Sequence, residues 1–426
     1  MRKVVITGVG IASPFGIGWS AWVEGLRSGQ SGTRRVSLFD PAAPYPGFQG
    51  AAGGALACQV AAEIPDFDAA AWMEPKELSR VPRVVPVALC AASQALQSAG
   101  LLDASEAQKQ DIGVLLGSGG GGFSYAESNF ARWFGASSGP ISPYAISSAI
   151  AGMVSSEISI AFGLRGRSHT ISDGCTSASD AFGYALDAIR CGRAQTLLCG
   201  GADAPITPGT LAAFALMRAV PTHYNDAPGR ASRPFDASRD GFVLGEGAWI
   251  FVLESEESAK ERGAQIWAEI AGYGTTCEAY HRVALSEPDE GARAMKMAMQ
   301  DAQISPEAID YINLHGTATA LNDPLETAAV KMALGKRAMQ IPMSATKSQI
   351  GHPQGASGAA GIAAALVAMR EGFIAPTINL ETPAPDCDLD YVPNHSRLAK
   401  VEVALCNCLG FGSKNAAVIL KRASQA

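Results

Sequence analysis

Apolar residues along this chain fall into short unbroken runs and longer helical stripes, and the two alternate from end to end. Val4-Val5-Ile6-Thr7-Gly8 reads as a buried strand, and Trp19 to Leu26 as a helix closed by Ser28-Gly29. Residues 31–71, rich in Gly, Pro and Ala without a period, predict an irregular surface excursion. Helical spacing resumes from Pro86 to Ala99. A strand follows from Asp111 to Leu116, an alanine-rich helix from Ile146 to Phe162, and a short strand at Ser168 to Ile171. Ala178 to Ile189 is spaced as a helix, and Thr196 to Gly200 and Trp249 to Leu253 as strands.

Glu254 to Arg262 predicts a charged, solvated helix bridging two halves, 1–255 and 256–426. The second half repeats the grammar of the first. Its strands are Ile266 to Ile270, Ile309 to Leu314 and Ile341 to Ala345; its helices are Gly291 to Ala302, Pro324 to Leu334 and Ala356 to Met369. This alternation implies an α/β fold of mostly parallel sheets covered on both faces, and the matched halves suggest duplication.

Composition narrows the function classes. With 426 residues, 47% hydrophobic and 17% charged, the chain can bury large cores and is not disordered. A net charge of −7 leaves no footprint for nucleic acid or an anionic membrane. The nine cysteines include no CxxC pair, which argues against a metal site or a disulfide framework. The N-terminus runs straight into a strand rather than a signal sequence, and no apolar run reaches membrane-spanning length. The expected location is cytoplasmic.

Against that background Cys175 stands out. It lies in Ser172-Asp173-Gly174-Cys175-Thr176-Ser177, between a strand and a helix. The unpaired N–H groups of a first helical turn favour thiolate and can hold an oxyanion, although an arbitrary cysteine is more often a small buried hydrophobe. Two histidines follow the same plan, His315 after Asp310 to Leu314 and His352 in Gly351-His352-Pro353-Gln354-Gly355. Ligands gather at the carboxyl ends of parallel strands, so one thiol and two imidazoles leaving strands in this way can converge. The run Gly117-Ser118 followed by four glycines lacks the Gly-Lys-Ser/Thr of a phosphate loop and predicts close backbone packing beside a pocket.

These segments carry a resemblance. Gly174-Cys175-Thr176-Ser177-Ala178-Ser179-Asp180, His315-Gly-Thr-Ala-Thr319, Lys347-Ser-Gln-Ile-Gly-His352 with Ala356-Ser-Gly-Ala-Ala360, Ser232-Arg-Pro-Phe-Asp236 with Asp240 to Gly247, and Gly410-Phe411-Gly412 all resemble the elongating β-ketoacyl-(acyl carrier protein) synthases. The resemblance covers essentially the whole chain. It implies a thiolase-like fold, a five-layered αβαβα arrangement of two related halves, normally dimeric. Cys175 followed by Phe182-Gly-Tyr184 looks closer to the catalytic ketosynthase subunit of type II polyketide systems, which implies a homodimer or a heterodimer with a related chain-length-type subunit.

The resemblance also implies roles. Cys175 is acylated, His315 and His352 assist loss of carbon dioxide from a malonyl-carrier thioester, and the N–H groups of Cys175 and Phe411 hold the oxyanion. Lys347 polarises the histidines with Glu326 as its carboxylate partner. Thr317 and Thr319 contact a phosphopantetheine arm that arrives on the acyl carrier protein, so no cofactor or metal of the chain's own is implied. Gly120 and Phe214 line the acyl pocket, roomier for lack of a side chain at Gly120. A capping-box start, with Asp323 as N-cap, Pro324 at N1 and Glu326 at N3, is an alternative job for Glu326. Arg233 and Asp236 read as structural links in a turn.

Departures from the family pattern are Asp173, expected to point away from the thiol so as not to raise its pKa, and Ser413-Lys414 in the closing loop. Lys76, Arg80, Arg83 and Arg218 are candidate contacts for an acidic carrier, and Ser138-Gly139-Pro140 stands where relatives carry basic residues. Two other classes compete: a non-catalytic partner subunit, which the presence of Cys175 disfavours, and a coenzyme A-dependent thiolase. The latter needs a second cysteine, with Cys387, Cys406 and Cys408 the late candidates.

Overall fold

The computed structural model describes residues 2–44, 54–135 and 139–423. Ten strands form one hydrogen-bonded path, five from each half. The first half supplies β1 (Val4–Ser13), β2 (Ile112–Gly117), β3 (Ser168–Ile171), β4 (Thr196–Asp203) and β5 (Gly247–Ser255). The second supplies β6 (Ala268–Cys277), β7 (Tyr311–Asn313), β8 (Met343–Ser344), β9 (Val403–Gly410) and β10 (Lys414–Arg422). Their order is β3-β2-β4-β5-β1 and then β6-β10-β9-β7-β8, so each strand of one half has its counterpart five strands later.

Pairing senses repeat as well. β2 is parallel to β3 and β4, while β5 is antiparallel to β4 and β1. Likewise β7 is parallel to β8 and β9, while β10 is antiparallel to β9 and β6. The sheets are therefore mixed rather than mostly parallel. The physical reason is visible between β9 and β10, where a connection of residues 411–413 is too short for the crossover that parallel neighbours need.

The halves join where β1 and β6 pair antiparallel over Val4–Ile6 and Ala268–Ile270. Both strands are irregular at the same place, between Ile6 and Gly8 and between Ile270 and Gly272. The glycines there have one job. A Cβ at Gly10 would fall 1.9 Å from the Ala91 carbonyl oxygen of the helix Val84–Ser98, and one at Gly274 would fall 2.2 Å from the Ala294 carbonyl oxygen of the helix Asp289–Asp301. Only hydrogen fits between strand and helix at these points.

Alternation along the strands builds three cores and hence five layers. On β5, Trp249, Phe251 and Leu253 enter a central core, whereas Ala248, Ile250 and Val252 enter an outer one beneath the helix Val84–Ser98. On β10, Val418 and Leu420 face the centre and Ala417 and Ile419 the other outer core, beneath Asp289–Asp301 and Asn322–Leu334. Helices Ser177–Arg190 and Ser357–Glu371 fill the middle layer. The second is buried from Ser357 to Met369, which its alanines and glycines permit because small side chains let a helix lie between two sheets.

Several expectations are corrected. Glu254 is the last residue but one of β5, buried, and accepts hydrogen bonds from Thr7 Oγ1 and Arg262; the charged helix is only Glu256–Glu261. The stripe from Ile146 breaks at Gly152 into a 3-10 turn, Ser147–Ala149, and a helix, Met153–Phe162. Within 31–71, Arg34–Arg35 and Val60–Ala62 form a small sheet with Leu244–Gly245; residues 45–53 of that stretch lie outside the described residues. Helices Phe123–Phe134 and Pro208–Leu216 were not anticipated.

Candidate active site

Cys175 and His352 occupy equivalent places in the two halves. Cys175 sits in a 3-10 turn, Gly174–Thr176, after β3 and before Ser177–Arg190; His352 follows β8 and precedes Ser357–Glu371. The two middle helices start side by side, with a Cβ at Gly358 falling 2.2 Å from Ser179 Oγ. Gly117 lets the Cys175 turn approach the sheet, since a Cβ there would meet Ala178 N at 2.2 Å. Gly174 adopts φ +68, a conformation that favours glycine.

The result is a compact set. Cys175 Sγ lies 3.1 Å from His352 Nε2, and the His315 and His352 rings are 5.3 Å apart and nearly perpendicular. One ligand atom from each of Cys175, His315 and His352 lies within 4.8 Å of the others, which is also the spacing of a three-ligand metal site. The three line a cavity of about 360 Å³ together with Thr317, Thr319, Phe242 and Phe411. Thr317 and Thr319 hydroxyls are hydrogen-bonded to each other at 2.9 Å.

Burial sets the charges. It pushes the Cys175 thiol up to about 11, against the lowering effects of Lys347 and of the N–H groups of Phe411 and Cys175 directed at the sulfur. The thiolate expected from the helix terminus is thus not the resting form. Burial first, and Lys347 second, hold His315 and His352 well below the usual histidine value, so both are neutral imidazoles at pH 7. Lys347 is itself lowered by burial.

Glu326 is neither half of a capping box nor an ion-pair partner of Lys347. The helix Asn322–Leu334 begins earlier, and the Asp323 carboxylate accepts from Phe235 N at 2.7 Å. Glu326 accepts from the backbone N–H of His315 at 2.6 Å, of Gly316 at 2.7 Å, and from Asn407 Nδ2 at 2.7 Å. It fixes the His315 loop and acts on Lys347 only through space. On His315 itself, Nδ1 faces the Cys408 thiol at 3.4 Å, and that thiol also lies 3.0 Å from the Cys175 carbonyl oxygen. On His352, Nδ1 faces Ser357 Oγ at 2.9 Å. Cys408 and Ser357 were not identified as site residues, because their role depends on which buried atoms they meet.

Cys408 does not line the cavity, so a thiolase-like second thiol at the substrate has no support; Cys387 and Cys406 lie in other cores. Asp173 points to Lys414 and is not among the main influences on the Cys175 thiol. Ser413 Oγ donates to the His281 carbonyl oxygen at 2.8 Å, which ties the Phe411 loop to a cavity wall. Gly120 and Phe214 line a second cavity of about 440 Å³ that begins at Gly174. The Phe214 and Phe411 rings, 6.5 Å apart, adjoin across the two cavities.

The glycine run packs as expected: Ser118 Oγ and the N–H groups of Gly119 and Gly120 all bind the Asp203 carboxylate. Arg233 and Asp236 form a buried pair at 3.1 Å that organises its turn. Of the basic candidates, Arg218 lines the first cavity and Lys76 is exposed. Arg80 is paired with Glu77, and Arg83 is held by two bonds to buried Glu246, so Arg83 is structural. Ser138 lies outside the described residues.

A thiol from one half and two neutral imidazoles from the other, converging where the two middle helices start side by side, define the condensing enzymes of thiolase-like fold. Residues 1–259 match the family described as "Beta-ketoacyl synthase, N-terminal domain" and residues 267–381 its C-terminal domain. The chain belongs to the β-ketoacyl synthase family. It is 40% identical to a 3-oxoacyl-[acyl-carrier-protein] synthase 2 of Synechocystis sp., over 99% of this chain and 98% of that protein. It is 41% identical to the actinorhodin polyketide putative beta-ketoacyl synthase 1 of Streptomyces coelicolor, over 100% and 90%. Among solved structures, a type II polyketide ketosynthase in complex with its acyl carrier protein superposes with a TM-score of 0.88 at 31% identity, covering 99% of this chain and all of that one. The ishigamide ketosynthase/chain length factor does so with 0.88 at 35%, again covering 99% and all.

Proposed function

We propose that the protein joins a Cys175-bound acyl group to malonyl-acyl carrier protein by decarboxylative Claisen condensation. In the first step the Cys175 thiol displaces a carrier thiol from an acyl thioester, forming the S–acyl bond and releasing carrier–SH. In the second, malonyl-carrier loses carbon dioxide and its carbon–carbon bond electrons become an enolate. Neutral His315 and His352 donate N–H to the enolate oxygen. The enolate carbon attacks the acyl carbonyl, whose oxyanion faces the N–H groups of Cys175 and Phe411. Collapse breaks the S–acyl bond, yields β-ketoacyl-carrier, and returns the sulfur, which takes up one proton.

The observation that carries this reading is the 3.1 Å contact of Cys175 Sγ with His352 Nε2 beside His315 at the wall of one cavity. Every atom balances without a resident cofactor; the phosphopantetheine arm enters with the carrier past Thr317 and Thr319. A related second subunit, identical or chain-length-type, is proposed at the free edge of β3, the last strand of the path, which leaves backbone groups open for pairing. No helix among the described residues is long and apolar enough to cross a membrane. Nine cysteines, all free, support a reducing compartment, and a cytoplasmic location is proposed on that ground. Incubating the protein, alone and with a candidate partner subunit, with acyl- and malonyl-carrier and weighing the carrier products tests the proposal. A β-ketoacyl carrier two carbons longer is expected, and none from Cys175→Ala; lengthening by the alanine variant would refute it.

A further inference from the structure

Cys175, His315 and His352 are metal ligands by chemistry as well as reactive groups. Among the described residues they form the one group of three Cys, His, Asp or Glu side chains close enough to share an ion. One thiolate and two imidazoles are a donor set that zinc takes with three protein ligands and one open position. With zinc bonds of about 2.3 Å to sulfur and about 2.0–2.1 Å to nitrogen, tetrahedral ligand atoms stand about 3.3–3.6 Å apart. Cys175 Sγ and His352 Nε2 are 3.1 Å apart, and His315 places a ring nitrogen within 4.8 Å of both, so shifts of about an ångström bring all three to bonding distance. The cavity that all three line gives water the fourth place.

The outer partners suit an ion too. A histidine that ligates through one ring nitrogen is oriented by a hydrogen bond at the other. His352 Nδ1 has Ser357 Oγ at 2.9 Å, and His315 Nδ1 has Cys408 Sγ at 3.4 Å. Both partners can accept: the serine oxygen has lone pairs, and the Cys408 S–H is directed at the Cys175 carbonyl oxygen, which leaves its sulfur free. Each ring thus keeps Nε2 for the metal. Lys347 opposes a cation here, but Glu326 acts on Lys347 and Asp203 acts on Cys175, each with a buried carboxylate.

We propose that Cys175, His315 and His352 bind one zinc ion in the unacylated protein, and that zinc held there inhibits it reversibly. Binding forms one Zn–S and two Zn–N bonds, releases water from the ion and sends the thiol proton to solvent. The metal takes up the sulfur and both imidazoles that the proposed condensation uses, so the inhibition rests on that reading, whereas the site itself does not. An acyl group on Cys175 removes the thiolate ligand, so the acylated protein is spared.

The test uses the full chain in chelator-free buffer, titrated with zinc chloride, with cobalt chloride for its thiolate charge-transfer band, and with magnesium chloride, a cation that prefers oxygen ligands. Zinc is expected to bind one ion per chain and to slow Cys175 acylation, read by intact mass, more than about tenfold, with recovery on adding EDTA. Magnesium is expected to leave the rate unchanged. The cobalt band is expected to vanish in Cys175→Ala and to weaken in His352→Ala; the acyl-Cys175 form of the unaltered chain makes the same comparison should the variants not fold. Absence of zinc binding, equal binding by Cys175→Ala, as at the exposed Cys191 or Cys277, or equal inhibition by magnesium overturns the inference and leaves the proposed function standing. A cobalt band that depends on Cys175 in a protein whose Cys175 never acylates overturns the proposed function and keeps the site.

Discussion

Lys414 forms an ion pair with Asp173, joining the loop that carries Phe411 to the turn that carries Cys175. Both residues depart from the family pattern, and each accounts for the other: the carboxylate that would raise the thiol pKa is drawn toward a lysine on the opposite loop. Exposed pairs of this kind contribute about 0.5 kcal/mol, so their value here lies in position rather than stability. Lys414→Met is expected to slow Cys175 acylation less than about tenfold, with a small change in Tm. A double-mutant cycle with Asp173→Asn checks it; effects that simply add would show that the pair does not couple the loops.

Glu326 has a different function from the one its sequence position suggests. Its carboxylate collects two backbone N–H groups from the His315 loop and one from Asn407. Glu326→Gln turns an amide donor toward groups that are already donors, and destabilisation of about 1–3 kcal/mol is expected. Chemical denaturation measures the loss, and an unchanged midpoint would contradict this assignment.

Alkaline stability follows from the buried thiols. Burial raises Cys58, Cys175 and Cys387 to about 11 and Cys90 to about 12, from an ordinary value of 9.0. A raised folded pKa contributes stability that is complete below the unfolded value and is lost as pH climbs through the folded one. Lys347 and Arg370, both lowered by burial, work in the opposite sense but are outnumbered by the thiols. The denaturation midpoint is expected to fall between pH 9 and 11, and the fall to shrink in Cys58→Ala relative to its own value at pH 8. A flat profile would contradict the burial argument.

Gly120 faces the second cavity with ordinary backbone angles, and a Cβ there meets nothing closer than Asp203 Oδ1 at 3.6 Å. Gly120→Phe is therefore expected to fold and to shorten the acyl chains accepted at Cys175. Products of unchanged length would show that the cavity does not hold the chain.

The three site side chains were legible because each follows a strand and stands next to a glycine. The duplication was only half legible. Gly8-Val9-Gly10 and Gly272-Tyr273-Gly274 mark equivalent bulged strands, but two short G-x-G matches say little until the helix above each is in place. The antiparallel run of β5 and β10 was hidden because strands buried on both faces look alike in either direction. Helix Pro208–Leu216 was missed for want of a stripe: Leu216 is 73% exposed while Leu211 is fully buried, and the residues from Leu211 to Leu216 are all apolar whichever way they face. Ser357 and Cys408 carry no signal of their own, since what distinguishes them is the partner each meets.

In the proposed reaction a sulfur of the first half and two imidazoles of the second act on one thioester. Carbon dioxide release from malonyl-carrier by protein already acylated at Cys175 tests it most directly, comparing the unaltered chain with His315→Ala. Release is expected to match acyl transfer one for one, and in His315→Ala acyl-Cys175 is expected to stay intact with release slowed by about a thousandfold. Release at an undiminished rate from the alanine variant would contradict it.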